Sequence, residues 1–217
     1  MTKNKLYWHY GASIFLLLFT VIAYFVKGNI AVLAGIDQPI IQLIRGTITS
    51  SKTTYFLYIT KFGNTVTVIL LTALIAGVLY YYKHKIAAYW LLLNIVIIQG
   101  IGNVSLKLAF DRPRPTVEHL VQASHSSFPS GHAMGSMLLY GTLILLLPKL
   151  IEHRGIRYTC QIILALLILM VGASRVYLGV HYPTDILGGF LLSLAWLSFS
   201  YPLYKKYDFI ESFEGKK

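Results

Sequence analysis

Cysteine and acidic residues are both scarce in this sequence. Cys160 is its only cysteine, so no disulfide can form within the chain. Charged residues make up 12% of the 217 residues, about half the share in ordinary soluble domains, whereas 56% are hydrophobic. These proportions argue against a soluble protein and indicate a chain that lies largely in a membrane. The length suits a single domain, which we take as 1–217.

The shortage of acidic residues leaves a strongly basic chain. Its 19 Lys and Arg residues outnumber 8 Asp and Glu residues, for a formal net charge of +11. Such a balance suits nucleic acid, an anionic membrane surface or an anionic substrate. The basic residues stand in short clusters between apolar runs and form no single basic face, so we expect no nucleic-acid partner. Nothing in the sequence indicates an obligate protein partner either.

Apolar segments long enough to cross a bilayer recur along the chain. A helix needs about 20 apolar residues to span roughly 30 Å of hydrocarbon. The first such segment resembles a secretory signal, but its apolar run is at the long end for a cleavable one, and we take it as an uncleaved span. Six segments predict an all-α integral membrane bundle of six transmembrane helices: Tyr7–Val26, Thr65–Tyr82, Ile86–Leu108, Ser130–Leu147, Tyr158–Ala173 and Asp185–Tyr204.

The segment Gly28–Ser51, between the first two spans, is too polar to cross the membrane. Asp37 followed by Pro39 and a run of apolar residues predicts a short capped helix in the outer interface. Such a helix either lines a route by which a lipid reaches the site or is a connector that covers the bundle.

Loop charges predict the orientation of the bundle. Six spans place both termini on one side, and that side holds most of the basic residues not assigned to chemistry below: Lys3, Lys5, Lys83, Lys85, Lys149, Arg154, Arg157, Lys205, Lys206, Lys216 and Lys217. The positive-inside rule then predicts cytoplasmic termini, and clusters of Tyr and Trp at the same ends fit an interfacial belt. We therefore expect a multi-pass protein of the cell membrane, with the opposite face extracytoplasmic.

The first cluster with chemical potential follows the third span and reads Lys-Leu-Ala-Phe-Asp-Arg-Pro-Arg-Pro, from Lys107 to Pro115. Pro113 and Pro115 stiffen the chain and prevent the helix from continuing. Lys107 and Arg114 are two cations that a shared phosphate would hold together, with Arg as a bidentate fork and Lys as a point charge. In isolation, the same residues also fit basic side chains that flank a span.

The second cluster, Pro-Ser-Gly-His at residues 129–132, opens the fourth span. Pro129 suits a first helical turn, and we expect the amides of Ser130 and Gly131 to face outward unpaired, where the helix dipole favours an anion. His132 lies one turn in and could give a proton to a leaving oxygen. In isolation, a helix cap with an incidental histidine explains this tetrapeptide equally well.

The third cluster links the last two spans and contains Arg175, His181 and Asp185. His181 and Asp185 are four residues apart, so their side chains can meet on one side of a helical turn. A carboxylate on one imidazole nitrogen fixes the tautomer and leaves the other nitrogen free to attack. Arg175 adds a third cation. The pair in isolation also fits a structural helix cap.

All three clusters fall on the predicted outer face, where ionisable groups near membrane depth are costly and usually mark function. Phosphoryl transfer needs positioning, neutralised oxygens, an in-line nucleophile and a proton for the leaving group. Two histidines, one aspartate and three cations supply these parts together.

In sequence order, the three clusters resemble the signature motifs of the type 2 phosphatidic acid phosphatase superfamily, also called lipid phosphate phosphatases. Residues 107–115 fit K-x6-R-P, residues 129–132 fit P-S-G-H, and residues 174–185 fit S-R-x5-H-x3-D. The resemblance implies a reaction through a phosphohistidine without metal or other cofactor, with His181 as nucleophile, Asp185 as its orienting partner and His132 as the acid. It assigns phosphate binding to Lys107, Arg114, Ser130, Gly131 and Arg175.

The motifs do not identify the lipid, because they bind the phosphate and not the tail. A small six-span chain whose site faces outward resembles the bacterial members, and we expect phosphatidylglycerophosphate or phosphatidate as the substrate. Undecaprenyl diphosphate is the alternative. His119 and His125, in the loop between the first two clusters, are either headgroup contacts or ordinary exposed histidines.

Two alternatives to a lipid phosphatase remain. An anion transporter could use the same cations, although transporters often have Gly or Pro breaks and polar groups near the midplane, and these spans have few polar residues there. A relative that binds a lipid without turnover would be expected to lack a motif residue, and none is missing.

Overall fold

The structure, a computed structural model, describes residues 2–123 and 126–214. As predicted, the protein is all-helical, and no strand occurs within these residues. The elements are α1 Thr2–Gly28, α2 Ile30–Arg45, α3 Ser50–Lys61, α4 Thr65–Tyr81, α5 Lys85–Leu93, the π-helix π1 Asn94–Gly102, α6 Asn103–Phe110, α7 Gly131–Leu150, α8 Arg154–Tyr177 and α9 Pro183–Glu214.

The helices reproduce the predicted spans, with one of them bent. Over the described residues, five continuous helical stretches are long and apolar enough to cross a membrane: Lys5–Gly28, Lys85–Phe110, Gly131–Leu150, Arg154–Tyr177 and Pro183–Phe213. Helices α3 and α4 meet the same requirement only as a pair, bent by 45° at the short break between them. The protein has six spans when this pair counts as one. Helix α3 was not predicted, because it is rich in Ser, Thr and Lys.

The helix between the first two spans is longer than predicted. Helix α2 begins at Ile30 after Asn29, so the prediction that Asp37 caps a short helix was wrong. Asp37 lies inside the helix and is buried, as are Leu33 and Ile41. Residues at this four-residue spacing share one side of a helix. Helix α2 therefore packs one buried side against the bundle, which agrees with the interpretation of this segment as a connector that covers the bundle.

A buried asparagine ties three spans together. Asn94, at the start of π1, donates from Nδ2 to Thr142 Oγ1 on α7 at 2.9 Å. Its Oδ1 accepts from Trp196 Nε1 on α9 at 2.8 Å. Polar side chains within a membrane bundle associate helices in this way. These bonds keep α7 and α9, which carry the second and third motifs, in register with the π1 and α6 stretch that carries the first.

Aromatic residues gather at one end of the bundle. Trp8 contacts Tyr201 with ring centroids 4.5 Å apart, and Trp90 stacks on Tyr204 at 4.6 Å. Nearby, Glu211 accepts hydrogen bonds from the amides at the start of α5, which satisfies donors that lack a helical partner. These residues lie at the end predicted to be cytoplasmic, whereas the three motifs lie at the opposite end.

Candidate active site

The first motif places its two cations on either side of a helix end. Lys107 is in the last turn of α6, and the helix closes at Asp111, whose left-handed backbone (φ 42°) lets its amide donate to the Lys107 carbonyl at 3.1 Å. Beyond this turn, Arg114 NH1 donates to the Val180 carbonyl at 2.5 Å. Burial lowers the pKa of Arg114, and the negative charge of Asp185 opposes that shift. Arg114 is thus seated on the loop of the third motif.

The second motif caps α7 in a manner that corrects one prediction. Ser130 is the N-cap residue, and its Oγ accepts from the Ala133 amide at 3.4 Å. The Ser130 amide donates to the Asp185 carbonyl at 3.1 Å, so the expectation that it faces outward unpaired was wrong. The amides of Gly131 and His132 belong to the first helical turn and have no acceptor within the helix. They are the backbone donors that an anion could use here.

A glycine at position 131 is explained by packing. A Cβ atom there would lie 3.1 Å from Asn103 Oδ1, closer than most side-chain contacts. Asn103 also donates from Nδ2 to the Pro129 carbonyl at 3.3 Å. Gly131 therefore allows α6 to approach the start of α7, and this approach brings Lys107 and His132 to the same end of the bundle.

The third motif forms the expected histidine–aspartate pair. His181 Nδ1 lies 3.4 Å from Asp185 Oδ2, and the same oxygen accepts from the Tyr182 amide at 2.8 Å. His181 is 3% exposed and Asp185 is fully buried. Burial lowers the pKa of His181 to about 4, although the bond and charge of Asp185 act in the opposite direction. The imidazole is therefore neutral at pH 7, with Nε2 on the side away from the carboxylate.

The remaining predicted residues surround this pair. Arg175, in the last turn of α8, is buried and donates from NH1 to Thr60 Oγ1 on α3 at 2.8 Å. Its charge acts on His181 and on His132, and the charges of Lys107 and Arg114 act on His132 as well. The structure thus brings the three motifs together in one place. The chemical role of each residue stays a prediction.

Two residues of this site were not predicted. Arg112, which lies within the first motif but was assigned no role, is 2% exposed and lies behind Asp185, with NH1 2.5 Å from Asp185 Oδ1. Its NH2 is 2.9 Å from Asp37 Oδ2. One signal could have found Asp37: it is a carboxylate within an apolar segment of a chain that has few acidic residues, and intramembrane ionisable residues usually mark function.

Two further histidines, His119 and His125, belong to the loop between the first two motifs. His119 Nε2 donates to the Pro115 carbonyl at 2.9 Å, which ties it to the loop that carries Arg114. His125 lies outside the described residues.

Comparisons with known proteins bear on this site. A model of the PAP2 superfamily matches residues 88–208. Phosphatidylglycerophosphatase B of Bacillus subtilis is 45% identical over 96 residues, which cover 42% of this chain and 46% of that protein. Undecaprenyl-diphosphatase of Sulfolobus acidocaldarius is 28% identical over 207 residues, covering 91% of this chain and 90% of that protein. The match thus spans less than half of the first relative and nine-tenths of the second.

A solved structure extends the similarity to nearly the whole chain. The crystal structure of a transmembrane PAP2-type phosphatidylglycerolphosphate phosphatase from Bacillus subtilis superposes with a TM-score of 0.76 at 28% identity. The superposition covers 92% of this chain and 96% of that one. The similarity therefore includes most of the residues that precede those matched by the superfamily model.

Proposed function

This chain belongs to the PAP2 superfamily, as its three motifs predicted, and we propose that it is a membrane lipid phosphatase whose His181 accepts the phosphate. The observation that carries the proposal is the buried pair of His181 and Asp185, set beside a second histidine and three cations at one end of the bundle. The described helices pack as one bundle, in support of a single membrane-embedded domain over 1–217.

The reaction would proceed in two steps. In the first step, the bound phosphate offsets the charge of the neighbouring cations and so favours a protonated His132. His181 Nε2 attacks phosphorus in line with the ester oxygen, the phosphorus–oxygen bond breaks, and His132 gives its proton to the leaving lipid oxygen. In the second step, neutral His132 takes a proton from water, and the water oxygen displaces the imidazole to release inorganic phosphate. Asp185 stabilises the positive charge that the imidazole of His181 carries in the phosphoenzyme.

The three cations would neutralise the phosphate oxygens. Arg114 and Arg175 offer planar guanidinium groups that suit two oxygens each, and Lys107 offers a point charge. Their mutual repulsion is unfavourable until an anion shares them. A phosphate bound here would also lie near the amides of Gly131 and His132, which have no acceptor within their helix, and near the Ser130 hydroxyl, whose proton could be donated to it.

Phosphatidylglycerophosphate is the substrate that we favour, with phosphatidate as a close chemical relative. The support is the 45% identity to a protein named phosphatidylglycerophosphatase B and the superposition on a phosphatase of similar name. Undecaprenyl diphosphate is the second candidate, because the similarity to a protein named undecaprenyl-diphosphatase covers 91% of this chain. Purified protein should be assayed for phosphate release from all three lipids in one detergent. A preference for the polyprenyl diphosphate would overturn the first choice, and no release from any would refute a lipid phosphatase.

We further propose that both termini are cytoplasmic and that the site faces the extracytoplasmic side. The loop charges and the aromatic cluster at the far end of the bundle support this orientation. In a Cys160→Ser background, a membrane-impermeant thiol reagent applied to intact cells should label Ser51→Cys but not Ser212→Cys. The reverse pattern would show the opposite orientation.

A further inference from the structure

We infer that Arg112 and Asp37 are positioning residues for Asp185, which lies behind the proposed nucleophile. They hold its carboxylate in one orientation, and together the three side chains form a buried group with a defined net charge. The inference rests on the proposed function, because it concerns the histidine that would carry the phosphate. Neither residue belongs to the positions by which the three motifs were recognised.

Arg112 determines which oxygen of Asp185 faces His181. Its NH1 donates to Asp185 Oδ1 at 2.5 Å, while Oδ2 accepts from the Tyr182 amide at 2.8 Å and lies 3.4 Å from His181 Nδ1. The carboxylate is therefore held at both oxygens. Without Arg112, it could rotate about its last bond and lose its alignment with the imidazole.

Asp37 holds Arg112 and the start of α9 at once. Its Oδ2 is 2.9 Å from Arg112 NH2 and accepts from Thr184 Oγ1 at 2.9 Å, while Oδ1 accepts from the Thr184 amide at 2.9 Å. Thr184 lies between His181 and Asp185 in the chain and also accepts from Arg112 NH1 at 2.8 Å. Helix α2 is thereby fastened to the first turn of α9, directly after the loop that carries His181, and this is a role beyond that of a connector.

The charges of Asp37, Arg112 and Asp185 together favour a positively charged imidazole on the neighbouring histidine. One guanidinium stands between two carboxylates, so Asp37, Arg112 and Asp185 together carry a net charge of −1. If Asp37 were absent, Arg112 would neutralise Asp185 alone, and the group behind His181 would be neutral. All three side chains are buried, where charges are screened far less than in water. The remaining negative charge would stabilise the positive charge that His181 acquires in the phosphoenzyme.

A purely structural role is the competing explanation. Ion pairs in a protein interior are weak evidence for stability, because removing two charges from water is costly. If the cluster only fastens α2 to the bundle, its loss should lower the melting temperature and leave the turnover of the folded protein unchanged. If it positions Asp185, its loss should lower kcat of protein that remains folded.

Conservative variants separate the two explanations. Asp37→Asn removes the negative charge and keeps a similar shape. Arg112→Lys keeps the positive charge but loses the planar guanidinium group whose two nitrogens bind the two carboxylates. Asp208→Asn is the matched control, since Asp208 is also buried and pairs with a cation, Lys149, but at the far end of the bundle. The full chain would be purified in detergent, its folded fraction checked by size-exclusion profile and melting temperature, and kcat and KM measured with a short-chain phosphatidate in mixed micelles.

We expect Asp37→Asn and Arg112→Lys each to lower kcat roughly 10- to 100-fold, the range typical for groups that orient a functional histidine. KM should change by less than about twofold, because neither residue would touch the substrate. Asp208→Asn should keep the wild-type kcat. Turnover of folded Asp37→Asn and Arg112→Lys at the wild-type rate would overturn the inference, while the lipid phosphatase proposal would stand.

A double variant tests whether Arg112 acts through Asp185. Once Asp185→Asn is present, adding Arg112→Lys should change kcat by less than about twofold, because residues that share one network are not additive. If the double variant instead lowered kcat by the product of the two separate reductions, the inference would be overturned. Failure of both conservative variants to fold while Asp208→Asn folds would overturn it as well. No turnover by the wild-type protein of phosphatidate, phosphatidylglycerophosphate or undecaprenyl diphosphate would remove the proposed function, and the inference with it.

Discussion

Acid should destabilise this protein through His181. Burial lowers the pKa of this histidine from its ordinary value of 6.5 to about 4 in the folded protein. Between these two values, the unfolded chain binds a proton at His181 that the folded protein does not bind. The unfolded state therefore carries more protons in this range, and the free energy of unfolding falls as the pH falls from about 6.5 to about 4.

The expected magnitude follows from the size of the shift. Each pKa unit corresponds to about 1.4 kcal/mol, so His181 alone should remove about 3 kcal/mol from the free energy of unfolding across the whole range. No allowance for solvent screening is needed, because the side chain is 3% exposed. Most of the loss, about 2 kcal/mol, should be complete at pH 4.5, and in a protein of this size it corresponds to about 4–8 °C in melting temperature.

Thermal unfolding in detergent at pH 7.0 and pH 4.5 measures this effect. The wild-type protein should lose about 4–8 °C more than His181→Asn, whose side chain cannot titrate but can still donate to Asp185. A direct check is the titration of the histidine ring signals by NMR, with the His181 signal identified by its absence in the variant. Equal acid shifts in both proteins, or a His181 signal that titrates near pH 6.5, would refute the reasoning.

Other changes at the site have equally definite outcomes. His181→Ala should abolish phosphate release from a micellar lipid phosphate, and retained turnover would refute its assignment as nucleophile. His132→Asn should slow formation of the phosphoenzyme from a lipid substrate by roughly 10²- to 10⁴-fold. It should slow formation from nitrophenyl phosphate, whose leaving group needs no proton, much less, and equal slowing of this step would contradict its role as the acid. A chelator should leave turnover largely intact, and a loss reversed by added magnesium would contradict a reaction without metal. Gly63→Ala should lower both the melting temperature and kcat, because its Cβ would lie 2.4 Å from a Val171 methyl carbon and 3.2 Å from the His132 carbonyl. Gly77→Ala is the control and should be neutral, because its Cβ would meet nothing within 4 Å. Matching melting temperatures and kcat values for the two variants would contradict this account.

The spans could be predicted because the signal for them is local. A helix within a bilayer must be apolar over its own length, and no knowledge of its neighbours is needed to recognise it. Helix α3 escaped prediction for the complementary reason. Its sequence is polar, and its position depends on contacts with α8, such as the stacking of Phe56 on Tyr177 and the bond from Arg175 to Thr60.

The same distinction explains the error at Ser130. Position and residue type correctly identified the start of a helix, and helix starts have amides without partners. Whether a given amide stays free depends on what lies opposite, and here the carbonyl of Asp185, 55 residues later in the sequence, accepts from it. The start of the helix could be predicted from the local sequence to within two residues, although Pro129 lies just before the N-cap Ser130 and not in the first turn as expected. The loss of this anion-binding amide could not be predicted in that way.

Arg112 and Arg114 show most clearly where local reasoning ends. They are two residues apart, both follow the end of α6, and residue type alone makes them equal candidates for binding phosphate. The structure separates them: Arg114 rests on the Val180 carbonyl, whereas Arg112 is enclosed by Asp185 and by Asp37, 75 residues earlier in the chain. A guanidinium between two buried carboxylates is already neutralised and is a poor partner for a phosphate, so its chemical use must lie in what it does to Asp185. Helix α2 thus supplies the carboxylate that engages Arg112, and under the proposed function Arg114 is the one of these two arginines that binds the substrate.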